Sequence, residues 1–205
     1  MTEKRVGEGV EDTAVDQRVA NLVEEGVAEI QNGRPGNAER LFREALALSP
    51  EDESLHYNLG IALARQGRLE EARKAYEEAI RLFPEYVDAH VNLGNLLVRQ
   101  GQLGESLPVF KTALRAEPES VSALNAMGTA LAQLGRYPEA VSSFLAVLRI
   151  ETNHVEARFN LGNAFLAQGL RDRAVEQFQL VLRESPDFAP ARRALEQALK
   201  SRPGP

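Results

Sequence analysis

Glycine recurs at Gly26, Gly60, Gly94, Gly128 and Gly162, every 34 residues, and no other feature constrains the fold as tightly. At average glycine usage, one such column arises by chance on the order of once in a million. Further columns share the period: Gly33, Gly67, Gly101, Gly135 and Gly169; Ala38, Ala72, Ser106, Ala140 and Ala174; Phe42, Tyr76, Phe110, Phe144 and Phe178. Pro50, Pro84, Pro118 and Pro186 form another, with Thr152 in the missing place. Self-similarity at this length marks an array of stacked units.

The columns fit a helix, a tight turn and a returning helix. Glycine inside an apolar-periodic stretch such as 55–65 costs about 1 kcal/mol relative to alanine, which is tolerable only where a side chain would block a second helix. The second glycine suits the left-handed C-cap of a first helix, A. The small residue lets helix B pack closely, the aromatic wedges between the pair, and proline ends helix B. Ala, Leu, Glu and Arg are plentiful and favour helix, and no stretch alternates like a strand. The units fall at 19–52, 53–86, 87–120, 121–154 and 155–188.

His56, Leu59, Gly60, Leu63, Ala72, Tyr76, Ala79 and Pro84 in the second unit, with their counterparts in the others, resemble the tetratricopeptide repeat family. The resemblance implies an all-α, right-handed superhelical solenoid whose A helices line a concave groove. It is specific for fold and not for function.

At the ends, Glu25 and Glu29 stand where the second unit has Leu59 and Leu63, as suits a water-facing first unit. Residues 189–200 read as a capping helix with a stripe of Ala191, Leu195, Ala198 and Leu199. Residues 1–18 are expected to be disordered or flexible, open to folding over the groove, and 201–205 to be a disordered tail. Pro108 falls inside a B helix, where proline costs about 3 kcal/mol, so that helix is expected to start late or kink.

Polar residues on the A helices suggest where a partner binds. Asn58, Asn92 and Asn160 share one column, Asn95 and Asn163 another, and Asn125 adjoins the first where Ala126 and Thr129 interrupt both. A carboxamide both donates and accepts, so a ladder of them suits a peptide backbone. The pattern is similar to the asparagine ladder of O-linked N-acetylglucosamine transferases, though no transferase domain is expected here. Tyr57, Ile61, Val91 and Phe159 are expected to line the groove, with Arg65 and Arg99 selecting an acidic ligand residue. Burying about 400 Å² of such surface supplies roughly 10 kcal/mol gross, against an association cost of about 4–15 kcal/mol, so micromolar binding is expected. The carboxylate clamp of co-chaperone tetratricopeptide domains is not expected, because Val23, Tyr57, Val91, Ser122 and Ala126 fill its cationic places.

Chemistry finds little support. There is no cysteine, hence no thiolate metal site or cysteine nucleophile. His56 and His90, one period apart, read as structural, and His154 has no partners at metal-ligand spacing. No phosphate loop or serine elbow appears. The expectation is a non-enzyme without cofactor or metal. A formal charge of −6 argues against nucleic acid, and no apolar run reaches transmembrane length, so a cytoplasmic chain without membrane insertion is expected. The expected partner is a protein or peptide. The alternatives are a self-assembling homo-oligomeric scaffold and a substrate-recruiting subunit of a separate enzyme.

Overall fold

The computed structural model describes the backbone of residues 4–200 and the side chains of residues 14–200. Among the described residues eleven α-helices follow in order: α1 (Lys4–Gln31), α2 (Pro35–Leu48), α3 (Glu53–Arg65), α4 (Leu69–Leu82), α5 (Val87–Arg99), α6 (Leu103–Ala116), α7 (Val121–Gln133), α8 (Tyr137–Ile150), α9 (Val155–Ala167), α10 (Arg171–Glu184) and α11 (Ala189–Lys200). No strand occurs among the described residues. From α3 to α10 the helices begin in phase, A helices at 53, 87, 121 and 155 and B helices at 69, 103, 137 and 171.

The turn after each A helix is built alike. Gly67, at φ +77°, occupies a left-handed region open to glycine at little cost. The amide of Arg68 then bonds back to the Leu63 carbonyl at 3.0 Å, as in a Schellman cap. The same bond runs from Arg34 to Glu29, Gln102 to Leu97, Arg136 to Leu131 and Leu170 to Phe165. Within the helix pair, a Cβ on Gly60 would lie 2.5 Å from Cε1 of Tyr76. The obstacle is therefore the aromatic side chain of the returning helix.

The chain divides into two compact units, Met1–Leu96 and Leu97–Pro205. In the first, α1 packs on α2, α2 on α3 and α3 on α4. Val19, Leu22, Leu41, Ala45 and Leu55 form one buried cluster there, and Ala38, Phe42, Ala72 and Tyr76 fill the helix pairs. In the second, α6 through α11 pack in succession around a core that includes Phe110, Phe144, Leu161 and Phe178. His56 Nε2 meets the Pro50 carbonyl at 2.8 Å, and His90 Nε2 meets that of Pro84 at 2.8 Å. Arg158 and Arg192, in the same column, donate to the carbonyls of Thr152 and Pro186. Both histidines therefore tie the start of an A helix to the end of the preceding B helix.

Three expectations change. Helix α1 begins at Lys4, so in the segment expected to be disordered or flexible, 1–18, the backbone is helical over residues 4–18. Once one end is anchored by packing, adding turns is far cheaper than nucleating them. Residues 1–3 and the expected tail 201–205 lie outside the described residues. Helix α6 starts in phase rather than late, with Pro108 inside it. The carbonyl that loses its amide partner is that of Gly104, four residues earlier, and Gly104 is exposed to water. On α11, Ala191 and Ala198 are buried, but Leu199 is exposed and off the apolar stripe. At the other end Glu25 is exposed, and Glu29 accepts hydrogen bonds from Arg34 and Asn37 at 2.7 and 2.6 Å.

Candidate functional site

In the first unit, α3 and the start of α5 carry Tyr57, Asn58, Ile61, Asn92 and Asn95. An A-helix face three and four residues apart presents them together. The Tyr57 ring is half-buried, 4.9 Å from Tyr86 and 6.1 Å from Tyr76 between centroids. Asn92 donates its Nδ2 to the Tyr57 hydroxyl at 3.2 Å, so its carboxamide is already oriented. Burial, helped by the nearby Asp88 carboxylate, raises the Tyr57 phenol above its ordinary value against the opposing Asn92 bond. Burial also pushes the Tyr86 phenol up to about 12, helped by Tyr57, Asp88, Glu53 and Asp52. Both hydroxyls stay neutral at physiological pH and can donate or accept. Asn58 is half-buried, Asn95 is exposed, and neither side chain forms a hydrogen bond among the described residues.

In the second unit, α7, α8 and α9 line an open cavity of about 280 Å³ with Thr129, Gln133, Tyr137, Phe144, Asn160 and Asn163, together with Ala132 and Ala164. Asn160 is half-buried and Asn163 exposed, and both carboxamides are uncommitted among the described residues. Phe159 stands beside them, its ring 5.8 Å from Phe178 and 5.3 Å from Phe188. Asn125 does not join the pair: its Oδ1 is buried without a partner among the described residues, a desolvation cost of about 1–3 kcal/mol.

The structure thus gathers Asn160 and Asn163 at one cavity, and Tyr57, Asn58 and Asn92 on one face. Other sequence candidates go elsewhere. Val91 is only 6% exposed and belongs to the core, because its short side chain is covered where Tyr57 and Phe159 reach out. Arg65 donates to the Ile30 carbonyl at 2.8 Å, capping the end of α1 instead of awaiting a ligand. Arg99 is exposed and unpaired among the described residues, and Ile61 is half-buried. Three lining residues with polar groups were not among the candidates read from the sequence. Thr129 and Gln133 occupy the columns of Asn95 and Arg65, and that shared phase was the available signal; Tyr137 had none.

Among the described residues no group of three His, Asp or Glu could hold a metal ion. No described helix is long and apolar enough to cross a membrane. His154, the third histidine, caps α9 by accepting from the Ala157 amide at 3.1 Å.

The family model described as tetratricopeptide repeat matches residues 23–87, 91–153 and 125–187. No curated protein matches the chain in sequence. The crystal structure of YrrB, described as a TPR protein with an unusual peptide-binding site, superposes with a TM-score of 0.72. It is 24% identical, over 93% of this chain and 97% of that one. TTC0263, a thermophilic TPR protein in Thermus thermophilus, is 26% identical over 89% of this chain and 99% of that one, with a TM-score of 0.70. MamA 41-end from Desulfovibrio magneticus RS-1 is 20% identical over 83% and 97%, with a TM-score of 0.74.

Proposed function

Because the chain belongs to the tetratricopeptide repeat family, whose fold serves protein–protein interaction, we propose that it is a non-enzymatic module that grips an extended peptide segment of a partner on the A-helix faces of its repeats. One observation carries the reading: two uncommitted carboxamides, Asn160 and Asn163, stand together at a cavity shared with Thr129, Gln133 and Tyr137. A peptide backbone offers one donor and one acceptor per residue, and a carboxamide satisfies both. The half-buried Tyr137 ring adds apolar surface for a ligand side chain. The similar fold of YrrB, described as peptide-binding, is a precedent for the class of ligand. The same proposal takes the repeats as 19–52, 53–86, 87–120, 121–154 and 155–188. It takes the formal charge of −6 as an argument against nucleic acid as partner.

The test is affinity capture from native lysate with wild type and Asn160→Ala/Asn163→Ala, read by mass spectrometry and followed by titration of the captured partner. Both side chains are uncommitted, so helicity should be unchanged. Losing two carboxamide contacts at about 1 kcal/mol each weakens binding by roughly 30-fold. A partner retained equally by both proteins rejects this site. A wild type that retains only itself points to a homo-oligomeric scaffold.

A further inference from the structure

Between B helices α8 and α10 of the second unit, away from the cavity at Asn160, the chain leaves a cleft of about 490 Å³. Its floor is apolar, made by Leu148, Leu161 and Phe165, and Leu145 at its edge is 45% exposed. Arg149 and Arg173 line it as well, and neither is in an ion pair or hydrogen bond among the described residues. The Arg173 guanidinium lies over the Phe165 ring, 5.8 Å from its centroid. Arg158 is already engaged by the Thr152 carbonyl and by Glu184 at 3.5 Å. Glu176 is the one carboxylate in the lining.

The repeat supplies an internal control. One period earlier, an equivalent cleft of about 220 Å³ has Met127 and Leu131 in place of Leu161 and Phe165, and Lys111 in place of Leu145. There the position of Arg173 is taken by Glu139, paired with Arg136 at 2.6 Å. Glu71 and Glu105 hold that position in the second and third repeats and accept from Arg68 and Gln102. A carboxylate in the first turn of a helix complements the positive end of its dipole. Arg173, in the first turn of α10, opposes it. Leu170 stands where Arg68 and Arg136 stand in their repeats. The fifth repeat has therefore exchanged a favourable local pair for an unpaired cation beside an apolar cleft.

We propose that this cleft is a second docking site, independent of the Asn160 cavity, for an acidic peptide segment of a partner protein. An apolar side chain of the segment enters against Leu145 and Leu148, above the buried Leu161 and Phe165, and its flanking carboxylates pair with Arg149 and Arg173. The excess of unengaged positive charge over Glu176 selects the sign of the ligand.

The variant Arg173→Glu restores the residue that three other repeats carry, so it should fold at least as well as wild type. The probe is a fluorescein-labelled peptide with one leucine flanked on both sides by glutamates; its control has lysines for the glutamates. By fluorescence anisotropy, wild type should bind the acidic probe, progressively less as salt screens the pairs, and not the control. Arg173→Glu should weaken binding at least tenfold with an unchanged or raised melting temperature, and Asn160→Ala/Asn163→Ala should leave it intact. No binding by wild type, equal binding by Arg173→Glu, or loss only in the asparagine variant would overturn the proposal. Self-association abolished by Arg173→Glu without peptide binding would also overturn it, assigning the cleft to a second copy.

Discussion

Replacing Gly162 with alanine should destabilise the second unit even though alanine is the better helix former. The new Cβ would stand 2.5 Å from Cε1 and 2.9 Å from Cδ1 of Phe178. That ring is fully buried and cannot swing into solvent. Forcing a methyl into a filled core costs about 1–3 kcal/mol, and the gain in helix propensity returns at most about 1 kcal/mol. A contact of 2.5 Å against an immobile ring calls for the upper end of that cost, about 3 kcal/mol. The net loss is then about 2 kcal/mol, which lowers a urea midpoint by about 1 M at a denaturant slope near 2 kcal/mol/M. Far-ultraviolet circular dichroism in urea on wild type, Gly162→Ala, Phe178→Leu and the double variant separates the contributions. The shorter leucine leaves room for the methyl, so the double variant should lose about 1 kcal/mol less than the sum of the two single losses. A Gly162→Ala midpoint at or above that of wild type would refute the reasoning, because the glycine column would then owe nothing to the aromatic one.

Two further outcomes follow from the packing and the charges. Pro108→Ala should stabilise the protein by up to about 3 kcal/mol, since it returns an amide to the exposed Gly104 carbonyl inside α6; a thermal melt showing no rise would count against an in-phase helix there. Burial pulls the Glu39 carboxyl upward, but hydrogen bonds from Gln66, Arg43 and Arg68 outweigh it and hold the group below its ordinary value. A depressed folded value contributes stability above the unfolded carboxylate range, which is lost as pH falls through the folded value. Glu39→Gln should therefore flatten the acid limb of a stability–pH profile, and an unchanged limb would show that this carboxylate is not what acid titrates.

Helix phase was legible in the sequence because it rests on contacts inside one repeat. Gly60 against Tyr76 and the left-handed turn at Gly67 involve residues within one 34-residue unit, so each leaves a column. Asn160 and Asn163 stand out in the sequence because Asn92 and Asn95 share their columns, which gives their phase on an A helix but not the cavity beside them. Tyr137 was not: Pro35, Leu69, Leu103 and Arg171 share its column with no common chemistry, and only the turn after α7 brings it beside α9. Arg65 misled because its column looks like a ligand-facing row, while the nearest unsatisfied acceptor belongs to the helix end of the preceding repeat. Val91 misled through size, since a column predicts direction but not reach. The extension of α1 to Lys4 was invisible because propagation from an anchored helix writes no periodic signature.

The bond from an A-helix side chain to the carbonyl six residues before it has a consequence for how such a chain can change in length. His56 with Pro50 and His90 with Pro84 are the same junction at two addresses, and Arg158 and Arg192 form it at two more. Excising one 34-residue period between Pro50 and His56 on one side, and between Pro84 and His90 on the other, would put His90 before the Pro50 carbonyl at the old spacing. Donor and acceptor are traded for their equivalents, and the seam closes without a new side chain. Duplication and loss of whole periods are therefore mutations that the junctions tolerate, whereas a gain or loss of any other length breaks register at the joint where it falls.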